Sequence, residues 1–211
     1  MTNQRLEEYF ERLKMETLFL NEKLAILRFL KEERWKHPEY KKTTHLSGAF
    51  FHFVEQALQT DIIVTLDKLY DEKGERSLIK YLSQVEMHLS KIFDRKEIQS
   101  QINEIKNADA LLKKISINRN KFYAHYDIKY FDNPAKLIED APLSLEELSN
   151  LVELTKKIIR KHHLVFHQSD FLFIELHDTQ AIFNVASGYI NYLLMLEEQD
   201  INNMRMKRAI G

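Results

Sequence analysis

Arg119 stands where an apolar residue is expected. Ile98, Ile102, Ile105, Leu112, Ile115 and Phe122 recur at helical spacing, and Arg119 falls between the last two. A guanidinium on the inward face of a helix is costly to bury unless it is paired and hydrogen-bonded. It therefore calls for a carboxylate, a ligand phosphate or another chain at that depth. Asp61 interrupts a second stripe (Phe50, Phe53, Val54, Ala57, Leu58, Ile62, Leu69) in the same way, and is the expected partner. The blander reading has Arg119 snorkelling to the surface and Asp61 at the edge of its stripe. Asn120, Lys121, Phe122, Tyr123, Ala124, His125, Tyr126 and Asp127 follow. On a straight helix Arg119 and His125 would lie about 120° apart around the axis and about 9 Å apart along it, too far for one pair to clamp a phosphate. The spacing points instead to a helix that ends near His125 and to a composite site, with a second copy of the motif facing the first across a dimer two-fold.

The elements that must position these residues read as helices. Leu6, Phe10, Leu13, Leu20, Leu24, Leu27 and Leu30 keep a helical period until His37-Pro38, where the proline disfavours helix in the residue before it. A second helix is predicted from Leu46 to about Tyr70, and a third from an N-cap at Ser77 through Phe93. A fourth spans Glu97 to the neighbourhood of Tyr126. Phe131 to Leu143, with Pro134 and Pro142, reads as a loop. Ser144-Leu-Glu-Glu147 has capping-box spacing and opens a fifth helix to about His163. Residues 164–177 are ambiguous between a short extended piece and a bent helix. Asp178 caps a last helix through Glu198, leaving a polar tail over about 200–211 that frays.

Composition agrees with this plan. The 211 residues include only 4 Gly and 3 Pro, against roughly 12% expected for the pair. That leaves too few turn-makers for a many-stranded sandwich or barrel, and no Gly-rich loop marks a doubly wound α/β fold. The expectation is an all-α, up-and-down bundle of about six helices in a single domain. Lys and Arg (31) nearly balance Asp and Glu (32), which removes the signature of a protein that coats nucleic acid non-specifically. With no Cys there are no disulfides, cysteine–zinc sites or thiol nucleophiles. The start, MTNQRLEEYF, lacks the apolar core of a signal peptide, and no run reaches the roughly 18 apolar residues of a membrane span. The expectation is a soluble cytoplasmic protein.

Arg119-Asn120-(Lys-Phe-Tyr-Ala)-His125 resembles the signature of the HEPN superfamily: Arg, four to six residues usually beginning with a polar one, then His, near the end of a helix in an all-α bundle. Asp61-Ile-Ile-Val-Thr-Leu-Asp-Lys-Leu-Tyr-Asp71, followed by Ser77-Leu-Ile, is similar to the second-helix region of its abortive-infection (AbiU-like) branch. The two blocks carry the resemblance over about residues 46–127. HEPN toxins paired with a minimal nucleotidyltransferase antitoxin have Arg, four residues, His, one residue, Tyr. Here Asp127 holds the Tyr place and the spacing differs, so regulation by tyrosine modification is not expected.

The resemblance implies a ribonuclease that needs no metal or other cofactor. His125 would move protons to or from the 2′-OH and the leaving 5′-oxygen, and Arg119 would stabilise the phosphorane, where negative charge grows. Asn120 would orient the histidine or bind phosphate, Asp61 would hold Arg119, and Asp127 would support the site. A homodimer would supply two copies of each, with RNA as substrate and an antitoxin protein as a further partner. Lys121 and the cluster Lys156, Lys157, Arg160, Lys161, beside His162 and His163, are the candidates for holding RNA. The other reading of that cluster is a solvated helix end whose cations suit the C-terminal dipole. Tyr123 and Tyr126 would stack on bases or fill the core. The alternative function is a non-catalytic HEPN module binding RNA, nucleotide or a protein partner. His163 and His167 have the i, i+4 spacing of metal ligands, with Glu175 and His177 nearby, but HExxH and Glu-x-x-His are both missing and no metal site is assigned. Ala49 to Phe51 and Phe171 to Phe173 read as core or dimer interface.

Overall fold

Helix α1 (Asn3–Arg28) follows the predicted register: Leu6, Phe10, Leu13, Leu20, Leu24 and Leu27 are all buried. Thr17 fills the one position without an apolar residue, and its hydroxyl donates to the Leu13 carbonyl at 2.7 Å. The helix then widens into a π turn (Phe29–Glu33) and a 3-10 turn (Arg34–Lys36). It stops at His37, whose extended backbone (φ −107°, ψ 100°) is what Pro38 demands of its predecessor. Among the described residues the further α-helical elements include α2 (Gly48–Tyr70), α3 (Leu78–His88), α4 (Arg95–Asn107), α5 (Asp109–Asn118), α6 (Ala135–Asp140), α7 (Leu145–His167) and α8 (Thr179–Ile210). The computed structural model describes residues 3–40, 45, 48–120, 132–133, 135–174 and 178–210, the side chains of 3, 39, 135, 137, 138 and 200–210 excepted. The fold is all-α: among the described residues there is no strand. No helix of the described residues is long and apolar enough to cross a membrane.

Two compact units divide the chain, Met1–Ala25 with Ala57–Glu175 and Ile26–Gln56 with Leu176–Gly211. In the first, Ile62, Ile63, Leu66 and Leu69 of α2, Tyr81, Leu82 and Val85 of α3, and Leu151, Val152, Ile158 and Ile159 of α7 are sealed from solvent. Each such aliphatic side chain contributes roughly 1.5–3 kcal/mol. Tyr70 crosses from α2 to α7, donating to the Leu151 carbonyl (3.0 Å) and sharing a hydrogen bond with Thr155 (2.7 Å). In the second unit Phe29, Tyr40, Phe51 and Phe183 form an aromatic cluster with ring centroids 5.0–6.1 Å apart. Arg34 is buried beside it and pairs with Glu55 at 2.6 Å.

Several boundaries differ from the sequence reading. The predicted fourth helix is two helices, α4 and α5, separated at Ala108 (φ −87°, ψ 6°). Asn107 and Asp109 flank the break, residues whose side chains compete for backbone hydrogen bonds and favour helix ends over interiors. The third helix stops at His88, and Phe93 is buried from the turn that follows. The Pro-framed loop contains α6. Helix α7 runs four residues past His163 to His167 and ends on Gln168 in the left-handed region (φ 52°). Helix α8 continues to Ile210 rather than fraying after Glu198.

The capping box of α7 is formed in full. Ser144 Oγ accepts from Glu147 N (3.1 Å), and Glu147 Oε2 accepts from Ser144 N (2.8 Å). Ser144→Ala is expected to cost about 1 kcal/mol, read as a lower urea midpoint with an unchanged slope. An unmoved midpoint would show that the cap is not needed.

Candidate functional site

Asn118 decides where α5 ends. It is buried, and its amide donates to the Lys114 carbonyl (2.9 Å) and, across a sequence gap, to the Ala141 carbonyl (3.0 Å). Lys114 adds an ion pair to Glu147 (2.6 Å), and this bond, with that of Ser144 N, holds the Glu147 carboxyl below its ordinary range. The end of α5 is thus tied to the start of α7, and the next two residues, Arg119 and Asn120, continue in a π turn.

Both line a cleft of about 590 Å³, together with Asp67 and Tyr70 of α2, Asp71 just past its end, Ile105 and Lys106 of α4, and Leu112, Lys113 and Ser116 of α5. The Arg119 side chain is 37% exposed, and its Nε lies 3.5 Å from Asp67 Oδ2. Its Nη1 donates to Asn120 Oδ1, Asn120 Nδ2 donates to Ser116 Oγ (3.1 Å), and the Ser116 hydroxyl bonds the Asp67 carboxylate. Four side chains close a polar ring that sets the plane of the guanidinium at the cleft wall. Burial pushes the Asp67 carboxyl above the usual carboxylate range and Asp71 adds to this, while Arg119 and Ser116 oppose it. A guanidinium held this way offers fixed donors to a phosphate or another anion entering the cleft.

Asp61 does not hold Arg119. It pairs with Lys23 of α1 and is half exposed. The reason is helix phase: the buried face of α2 is Ile62, Ile63, Leu66, Leu69 and Tyr70, whereas Phe50 and Phe53, which set the expected phase, are 62% and 71% exposed. Asp67, four residues after Ile63 and three before Tyr70, shares the buried face, and Asp61 lies about 120° away from it. The i+3, i+4 relation of Asp67 to Tyr70 and Ile63 was the signal available for it. Ser116, one residue past Ile115, had none.

The basic cluster of α7 is internally neutralised. Lys156 pairs with Glu153 (2.7 Å), Lys157 with Glu104 (2.6 Å), Lys161 with Glu97 (2.7 Å), and Arg160 makes a two-pronged contact with Asp170. Two of these pairs join α7 to α4. The cations lie along a groove of about 820 Å³ that also includes Leu164, Leu172 and Ile174, with Phe171 and Phe173 packed edge to face at 5.0 Å. His162 takes no part in the cluster: it is a core residue between Tyr81 and Gln101. Lys121, Tyr123, His125, Tyr126 and Asp127, and also Glu175 and His177, lie outside the described residues.

No match was found among curated proteins or among solved structures. The HEPN_AbiU2 family model (AbiU2) matches residues 3–185, a span that includes the Asp67–Arg119–Asn120 ring and every helix from α1 to α7. With 183 of the 211 residues matched, the chain belongs to the AbiU2 family of HEPN domains.

Proposed function

We propose that the chain is a cytoplasmic endoribonuclease of HEPN type that acts in abortive-infection defence, with Arg119 and His125 of two subunits forming the reaction centre. The observation that carries this reading is the Arg119 guanidinium, set at the wall of an open cleft by Asp67 and Asn120, in a chain of this family. In the reaction the 2′-oxygen attacks the adjacent phosphorus as its proton leaves to a base. The P–O5′ bond breaks, and the 5′-oxygen takes a proton from an acid, leaving a 2′,3′-cyclic phosphate and a 5′-hydroxyl. His125 serves as acid or base, and Arg119 meets the charge that grows on the phosphorane. No step calls on a metal.

Self-association is supported by α8. Ile182, Val185, Tyr189, Tyr192, Leu193 and Leu196 recur at three- and four-residue spacing, yet all are exposed. An apolar stripe of that period on the outside of a helix is the form of a helix–helix interface. Val185→Lys with Tyr189→Lys is expected to convert the dimer to a monomer by light scattering; an unchanged mass would move the interface elsewhere.

The second reading, a non-catalytic module that binds RNA, nucleotide or a protein partner such as an antitoxin, is favoured by the pairing of Lys156, Lys157, Arg160 and Lys161, which leaves less charge to hold a backbone. Cleavage of RNA by the wild type beside Arg119→Ala and His125→Ala separates the two. Activity lost in both variants, and lost on 2′-deoxy substrates, is the expected result. Activity that survives both changes removes the site assignment, and binding without cleavage by the wild type selects the second reading.

A further inference from the structure

His162 and His163 are neighbours on α7, both buried, and differently provided for. His162 has a partner on each nitrogen: Tyr81 at 2.8 Å and Gln101 at 2.9 Å. His163 is 9% exposed, and its Nδ1 is sealed from solvent with no hydrogen-bond partner among the described residues. Its Nε2 has only the Ser169 hydroxyl at 3.5 Å, the outer limit of a hydrogen bond. A buried imidazole with neither nitrogen firmly bonded is unusual enough to require a reason.

One turn further along α7, His167 Nε2 lies 3.0 Å from Glu11 Oε1 of α1, and the rings of His163 and His167 are 4.4 Å apart. Glu11, His163 and His167 each offer a ligand atom, and these atoms all lie within 4.8 Å of one another. In a tetrahedral zinc site, with Zn–N and Zn–O near 2.0–2.1 Å, neighbouring ligand atoms stand about 3.3 Å apart. The three side chains are therefore within about 1.5 Å of that spacing, a distance that side-chain torsions cover. Two imidazoles and a carboxylate are a donor set that zinc takes, with a fourth position left for water. His167 and Glu11 are 31% and 40% exposed, which gives an ion a way in to the buried third ligand.

We propose that Glu11, His163 and His167 form a site for a divalent transition-metal ion, zinc in the first place, that clips α1 to the last turns of α7. The site shares no residue with the Arg119 cleft, and its role is to hold the first and last long helices of its unit together. Lys14 works against it. Its ammonium lies 2.6 Å from Glu11 Oε2 and rests over the rings of Phe10 and Phe171, so it competes for the same carboxylate and its charge opposes the ion. The site is thus weaker than its ligand set alone would make it, and removing Lys14 should tighten it.

The test uses the tag-free full chain, dialysed against EDTA and then titrated with Zn²⁺ by calorimetry and with Co²⁺ by visible absorption. One equivalent of Zn²⁺ should bind per chain, raise the melting temperature, and give a Co²⁺ form with the intense bands of four-coordination. Glu11→Gln and His167→Ala, both at partly exposed positions that should fold, are expected to weaken binding by at least 10–100-fold. Lys14→Met should strengthen it, and His88→Ala on α3 should leave it unchanged. Absence of Zn²⁺ binding, or binding that survives Glu11→Gln and His167→Ala together, overturns the proposal. RNA cleavage is not a readout, so the outcome is independent of the proposed reaction.

Discussion

Replacing Arg119 with alanine is expected to slow RNA cleavage by on the order of 10²–10³-fold, the usual cost of removing one fixed donor to a developing anion. The fold should survive. The side chain is 37% exposed, and the carboxylate it leaves behind, Asp67, already has its pKa raised by burial; losing the Arg119 charge raises it further, so Asp67 can take up a proton in place of standing as an unpaired buried charge. Arg119→Lys should not rescue the rate. A lysine cannot engage Asp67 and Asn120 through one planar fork while presenting a donor to the cleft. Asp67→Asn should give a smaller loss, because it loosens the guanidinium without removing it. Single-turnover rates on labelled RNA, with circular dichroism melts of each variant, check this. A rate for Arg119→Ala equal to wild type in a folded protein would end the assignment.

The second large effect is acid sensitivity centred on His162. Gln101 Oε1 can only accept, so His162 Nε2 carries a proton, and burial favours the neutral ring, in which Nδ1 accepts from the Tyr81 hydroxyl. Burial, with the nearby Lys161 charge, lowers its pKa to about 3, against 6.5 for an exposed histidine. Below pH 6.5 the unfolded chain binds a proton that the folded chain refuses until about pH 3. The stability held at neutral pH is therefore lost as pH falls through this window, by about 1.4 kcal/mol per unit once well below 6.5. Between pH 7 and pH 5 that is about 2 kcal/mol. Urea unfolding at both pH values, with EDTA present to keep ions from Glu11, His163 and His167, should show a loss about 2 kcal/mol larger for the wild type than for His162→Gln, in which His163, its pKa also lowered by burial, remains. Equal losses in the two proteins would place the acid sensitivity elsewhere.

Much of the scaffold was legible in the residues. The α1 stripe, the stop at His37-Pro38, the Ser77 cap and the Ser144–Glu147 box are local features, each set by neighbours within about one helical turn. The errors arose where locality fails. Phe50 and Phe53 are apolar but exposed, so periodicity alone misplaced the phase of α2 and with it Asp61. Ala108 is a good helix former, yet the chain breaks there, and Asn118 reaches a carbonyl at residue 141 that no spacing rule connects to it.

Residues and their near neighbours set the all-helical class, the family signature around Arg119, and that arginine's need for a carboxylate, a phosphate or another chain, because helix propensity, capping and apolar periodicity are local properties. Tertiary structure decided which carboxylate answers it. Asp67 and Asp61 are the same residue type on the same helix, and only the packing of α2, which turns Ile63 and Tyr70 inward, brings one to Arg119 and leaves the other to Lys23. The same holds for charge: Lys156 to Lys161 form a basic run in one dimension, and become four ion pairs once Glu153, Glu104, Asp170 and Glu97 are beside them. Glu153 is one turn from Lys156 on the same helix, but Glu104 and Glu97 are 53 and 64 residues from Lys157 and Lys161, and those distances exist only in the folded protein.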